Sequence, residues 1–149
     1  MKIIFWACVT IVCFCGFSYK GPETELVELL NRERVAANAE PLIIDWEIAR
    51  LARYKVEDMQ HLGFIGYVSP VYGSPEDMLR RFEIPFNVLG ITVAKGQESA
   101  AEVVGAWLSS SAHREVLLSA EFSHAGVGFT HNAEDIPYWA IILFTSSDK

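Results

Sequence analysis

The chain has 149 residues, 51% of them hydrophobic and 21% charged, which is enough for one domain with a substantial core. Its formal charge is −7 and no basic run is longer than Arg80-Arg81, so a phosphate-neutralising surface is excluded and no nucleic-acid partner is expected. Residues 1–20 read as a leader: Lys2 supplies a positive start, and Ile3 to Phe17 is almost unbroken apolar sequence. That run is shorter than the roughly 20 apolar residues a membrane span needs and fits a secretory signal peptide, with Gly16-Phe17-Ser18 supplying small residues for cleavage. The protein is therefore expected outside the cytoplasm, whether secreted, periplasmic or at the surface. The three cysteines, Cys8, Cys13 and Cys15, all lie in this segment, so a mature domain without disulfides must be held by packing. A second reading makes Cys15, followed by Gly16, a lipoprotein acceptor and the one route to the membrane. Bulky Phe14 and the short tether to the first helix favour simple cleavage.

A single domain is expected over residues 23–147. Leu26, Leu29, Leu30, Ala36 and Ala37 recur at helical spacing behind Glu23 and Glu25, and predict a first helix over residues 23–38. Asp45 is placed to cap a second helix with the stripe Ile48, Leu51, Ala52, Val56 and Met59, and Gly63 is its natural stop. Ser74-Pro75-Glu76-Asp77 starts a short third helix that runs to Phe82. Ala100, Val103, Val104, Trp107 and Leu108 form the stripe of a fourth that begins near Gln97. Strands are expected over residues 87–94, 124–130 and 138–145. The last, Tyr138-Trp139-Ala140-Ile141-Ile142-Leu143-Phe144, is apolar at odd and even positions, so both its faces should be buried. A strand covered on both faces needs a layer on each side. The fold class is therefore α+β: a three-layer α-β-α sandwich with a small, mainly antiparallel sheet between helices.

Several strings in this order resemble one family. They are Leu30-Asn31-Arg32-Glu33-Arg34 with Glu40-Pro41-Leu42, Ser69-Pro70-Val71-Tyr72-Gly73-Ser74-Pro75, Ala94-Lys95-Gly96-Gln97, Val104-Gly105-Ala106-Trp107, His113-Arg114 and Ala125-Gly126-Val127-Gly128. Their order and spacing over residues 24–146 resemble the CAP superfamily, also called SCP-like or cysteine-rich secretory domains, in its compact bacterial form. The resemblance implies the same α-β-α sandwich. It also implies a cleft with a histidine in a Phe-Ser-His-Thr-Ser-Pro string, a glutamate in Gly-Glu-Asn-Ile-Ala and a second histidine in Gly-His-Arg. In this sequence the first histidine position holds Tyr67 and the glutamate position holds Ile91, and only His113 remains.

One imidazole alone gives no useful Zn²⁺ affinity, and a histidine base without a partner lacks what fixes its tautomer. No metal or cofactor and no catalytic residue are expected, and Tyr67, Ile91, His113 and His124 stand as candidates for lining a ligand cleft. His124 and His131, seven residues apart, point to opposite faces of a strand and should not ligate together, whereas a pair formed by His113 and His124 stays open. The same alternation places His124, Gly126, Gly128 and Thr130 on one face that another element can approach closely. Tyr67, Tyr72, Phe64, Phe82 and Phe86 fall around the cleft, as an apolar groove or as a satellite cluster. The first functional reading is a non-enzymatic binding protein for a lipid, a sterol, a peptide or a host or envelope protein. The second is a hydrolase or protease built on His113 with a water or one of Ser69, Ser109, Ser110 and Ser111, although no G-x-S-x-G elbow occurs. The third is a structural envelope protein. Oligomeric state is open.

Overall fold

A computed structural model describes residues 20–147. The leader and Cys15 lie outside the described residues. Helix α1 (Pro22–Ala36) opens with proline in its first turn and ends two residues short of the expected Asn38, which adopts φ 60°. The two-residue strand β1 (Ile43–Ile44) follows, and then α2 (Trp46–Leu62). The Asp45 carboxylate accepts from the N–H groups of Glu47 and Ile48, and α2 ends at Gly63 in the left-handed region, φ 68°.

Helix α3 (Pro75–Arg81) starts in a capping box: Ser74 Oγ accepts from Asp77 N–H, and the Asp77 carboxylate accepts from Ser74 N–H. These bonds hold the Asp77 carboxyl below its ordinary value of 3.8. Its contribution is therefore present above that value and is lost as pH falls through the lower, folded one. Asp77→Ala is expected to lower the urea midpoint at pH 7 and to make no difference at a pH low enough to protonate Asp77 in wild type. An equal loss at both pH values would show that the carboxylate is not the stabilising group.

The rest of the chain is β2 (Val88–Lys95), α4 (Ala100–Ser109), α5 (Ser111–Leu118), β3 (His124–His131) and β4 (Pro137–Thr145). Helix α4 begins three residues later than Gln97, because Ser99 is the residue whose side chain caps it. Helix α5 and strand β1 were not expected from the sequence.

The sheet order is β1-β3-β4-β2, antiparallel except for the parallel pairing of β1 with β3. Every β4 residue from Pro137 to Phe144 is buried, and the strand divides its side chains by parity. Trp139, Ile141 and Leu143 enter the core beneath α1, α4 and α5. Ile142 and Phe144 pack against α2 and α3, while Tyr138 and Ala140 pack against the end of α2. That is the expected three-layer arrangement. On β3, Ala125 and Val127 face the first core, and the opposite face carries Gly126 and Gly128. There α2 approaches so closely that a Cβ on Gly126 would lie 2.1 Å from Ala49 N, and one on Gly128 would lie 2.3 Å from the Ala52 carbonyl carbon.

A buried guanidinium ties the helical layer together. Arg34, at 0% exposure, donates from Nε to Glu40 O (2.9 Å), from one terminal nitrogen to Leu117 O (2.7 Å) and Ser119 O (3.0 Å), and from the other to Phe122 O (3.1 Å). No carboxylate pairs with it among the described residues. Backbone carbonyls at the C-terminal end of α5, of Leu117 and Ser119, serve instead, and burial draws the arginine's pKa below its ordinary value.

Candidate functional site

Tyr67 and His113 meet. The tyrosine stands in the segment between α2 and α3, and the histidine is the third residue of α5. Their Oη and Nε2 atoms are 3.0 Å apart across 46 residues of sequence. Either group can donate this bond, according to which ring nitrogen of the imidazole carries the proton. No carboxylate is hydrogen-bonded to His113 among the described residues.

Ile91 lies on the edge strand β2, opposite Ile142 on β4, and packs into both clusters on the α2 side of the sheet. Its side chain acts as core filler there and offers nothing that could orient an imidazole. The structure does not bring His124 to this site. Its Nδ1 is bonded to Ser123 Oγ at 2.8 Å, its ring packs 5.5 Å from that of Phe144, and it borders a separate hollow of about 400 Å³ with Asp45, Ile84 and Pro85. Among the described residues no group of three histidines, cysteines or acids is placed to hold a metal ion.

Two of the four candidate serines, Ser69 and Ser109, are already engaged, while Ser110 starts α5 without a side-chain cap bond. Ser69 Oγ, on a residue 3% exposed, donates a short hydrogen bond to Asp58 and accepts from the N–H groups of Val71 (3.0 Å) and Tyr72 (2.9 Å). Ser109 donates to Gly105 O at 2.8 Å. Of the aromatic residues expected around the cleft, Tyr72 and Phe82 stack with Tyr54 beneath α3, and Phe86 and Phe64 pack on the core. Tyr67, 44% exposed, is the one whose ring faces outward.

Sequence reasoning missed a buried polar group beneath this segment. Lys55 is 1% exposed, its Nζ has no hydrogen-bond partner, and the ammonium lies 5.2 Å from the Phe64 ring centroid. Burial lowers its pKa while the charge of Asp58, one turn further along α2, raises it. Asp58 in turn holds Ser69, so a buried hydrogen bond fastens the Tyr67 segment to α2. The signal was available, since Lys55 occupies the i+7 position of the apolar stripe that starts at Ile48.

Comparison with known proteins agrees with this architecture. The family model described as the cysteine-rich secretory protein family, CAP, matches residues 27–144. A Bacillus subtilis protein named uncharacterized protein YkwD is 41% identical over 115 residues, covering 77% of this chain and 45% of that protein. The B. subtilis protein named uncharacterized membrane protein YlbC is 32% identical over 106 residues, covering 71% of this chain and 31% of that protein. The chain thus spans less than half the length of these curated relatives. Among solved structures, an extracellular protein containing an SCP domain from Bacillus anthracis superposes with a TM-score of 0.77 at 25% identity, over 85% of this chain and 41% of that one. An outer surface protein of Borrelia burgdorferi gives 0.76 at 21% identity, over 83% and 91%. With the family model spanning the sandwich from α1 to β4, the chain belongs to the CAP, or cysteine-rich secretory protein, family.

Proposed function

We propose that this is an exported CAP-domain protein that acts by binding and has no catalytic activity. The hydrogen bond between Tyr67 and His113 carries the reading. It gives the histidine a phenol in place of a metal or a carboxylate, while Ile91 fills with hydrocarbon the position where the family resemblance implies a glutamate. Among the described residues no carboxylate is hydrogen-bonded to this imidazole to hold it as a general base. The ligand suited to such a surface is apolar: a lipid, a sterol, or an apolar patch on an envelope or host protein. Export is supported by the apolar run before Lys20 and by the extracellular and outer-surface names of two structural neighbours.

Two measurements test the reading. Wild type is expected to show no turnover in broad peptidase and esterase screens and no saturable Zn²⁺ binding by calorimetry. Tyr67→His combined with Ile91→Glu restores the residue types that the family resemblance implies at these positions, and is expected to gain one-to-one Zn²⁺ binding near micromolar, about 8 kcal/mol, that His113→Ala abolishes. Turnover by wild type that His113→Ala removes would assign a hydrolase instead.

A further inference from the structure

The end of α2 and the turn joining β3 to β4 border a hollow of about 460 Å³ in which neither Tyr67 nor His113 takes part. Gln60, His61 and Leu62 line it from the helix, Glu134 from the turn, and Lys95 and Tyr138 from facing positions on β2 and β4. Small-molecule sites enclose about 300–1,000 Å³, so the hollow is of their size.

Tyr138 is the informative residue. It is 1% exposed, with its ring in the cluster of Val56 and Met59, yet its hydroxyl has no hydrogen-bond partner among the described residues. A phenol sunk in a core normally finds one. The fully enclosed side-chain atoms without a partner belong to Lys55, Thr92 and Gln97, so the Tyr138 hydroxyl is the open end of a buried side chain, and the hollow is what it opens on.

The groups around it are also uncommitted. The side chains of Gln60 and His61 make no hydrogen bond among the described residues, and Lys95 Nζ stands 5.1 Å from the Tyr138 ring centroid without a carboxylate partner. Glu134 accepts from Asn132 Nδ2 (3.1 Å) with one carboxylate oxygen and keeps the other free. The turn that carries it is fixed from within, because Asn132 Oδ1 accepts from the N–H groups of Glu134 (3.0 Å) and Ile136 (2.8 Å) and Asn132 N–H donates to Ile136 O (3.0 Å). A helix end, a strand pair and a braced turn thus hold these polar groups in place before any ligand arrives, which lowers the cost of binding one.

The same groups select the class of ligand. Lys95 and Glu134 offset each other in charge, so the hollow favours neither a cation nor an anion. Lys95 donates, Glu134 accepts, and Tyr138, Gln60 and His61 can each do either, while Leu62, 49% exposed, supplies an apolar wall. Hydroxyl groups, which donate and accept at once, match that mixture as a hydrocarbon chain cannot. We propose that this hollow binds a short neutral saccharide, with its hydroxyls shared among Tyr138, Glu134, Gln60 and Lys95. A formal charge of −7 further disfavours acidic polysaccharides. The site shares no residue with the Tyr67–His113 contact and is independent of the ligand read there.

The test titrates the isotope-labelled full chain with three neutral saccharides, chitotriose, maltotriose and cellotriose, and with acidic trigalacturonate, while backbone amide shifts are followed by NMR. At least one neutral saccharide is expected to give saturable shifts confined to residues 60–63, 95 and 132–138, around the hollow. Tyr138→Phe removes the hydroxyl and leaves the ring in the core, and should weaken that binding by about three- to tenfold with an unchanged melting temperature. Glu134→Ala, at an exposed position, should weaken it at least as much, whereas His113→Ala should leave it unchanged. Absence of saturable shifts with all three neutral saccharides would overturn the proposal. So would shifts around the hollow with trigalacturonate alone, which would assign an anion site at Lys95. Binding by Tyr138→Phe and Glu134→Ala as tight as by wild type, or shifts centred on Tyr67 and His113, would place the saccharide elsewhere and overturn it as well.

Discussion

Gly126→Ala is expected to unfold the domain or leave it barely stable at room temperature. The added Cβ would sit 2.1 Å from Ala49 N and 2.3 Å from Ile48 C, and both are backbone atoms of α2 that cannot rotate away. Relief requires the helix to lift off β3, opening the contact that buries Ile48, Ala52 and Val56. Forced overpacking of this kind exceeds the usual range of about 1–3 kcal/mol, and a loss of about 4 kcal/mol or more would take most of the stability of a domain this size. Thermal melts followed by circular dichroism decide it, with Gly105→Ala as the control. Gly105 is exposed on α4 and a Cβ there meets nothing within 4 Å, so that change should stabilise by about 0.5–1 kcal/mol. A Gly126→Ala protein melting within a few degrees of wild type would contradict the close seat of α2 on β3.

Arg34→Met should be nearly as damaging through a different mechanism. Its volume is similar, but the carbonyls of Glu40, Leu117, Ser119 and Phe122 would all lose their donor, and the bonds to Leu117 and Phe122 are buried. Leaving such groups unpaired costs about 1–3 kcal/mol each when fully buried, so a total of about 3–5 kcal/mol is expected once partial relaxation is allowed. Arg34→Lys keeps the charge and should recover less than half of the loss, because one ammonium cannot span the directions that a planar guanidinium covers. The measurement is the urea midpoint of all three proteins. Equal stability of the lysine variant and wild type would mean that charge alone, and not the fork of donors, holds α1 to α5.

These two residues also show what the sequence could and could not reveal. The glycines were legible because alternation on a strand is a rigid geometric rule, and it placed Gly126 and Gly128 on one face before any helix was known to lie there. The burial of β4 on both faces followed from its unbroken apolar run, and the caps at Asp45 and Ser74 followed from residue type and position. The role of Arg34 was only half legible. Unlike Arg32 it stands four residues past Leu30 on the buried stripe of α1, but the stripe does not name its partners, which lie 83 to 88 residues away except for Glu40. Strand β1 escaped because two residues carry no periodicity, and α5 because its apolar residues Val116, Leu117 and Leu118 are consecutive. Of the candidate site, the identities at positions 67, 91 and 113 could be read by aligning strings. That a phenol would bond the remaining imidazole depended on a contact across 46 residues, which no string contains.

The division of β4's side chains by parity has a bearing on when the chain can fold. Each of the three core clusters contains residues of this strand: Trp139, Ile141 and Leu143 in one, Ile142 and Phe144 in another, Tyr138 and Ala140 in the third. The strand is also the shared neighbour of β2 and β3, and it comes last among the described elements. During synthesis no earlier portion of the chain can close any of these cores or join β2 to the rest of the sheet. The helices made first remain amphipathic segments without a partner, and the domain stays pliable until residues 137–145 arrive and complete all three cores in one cooperative step.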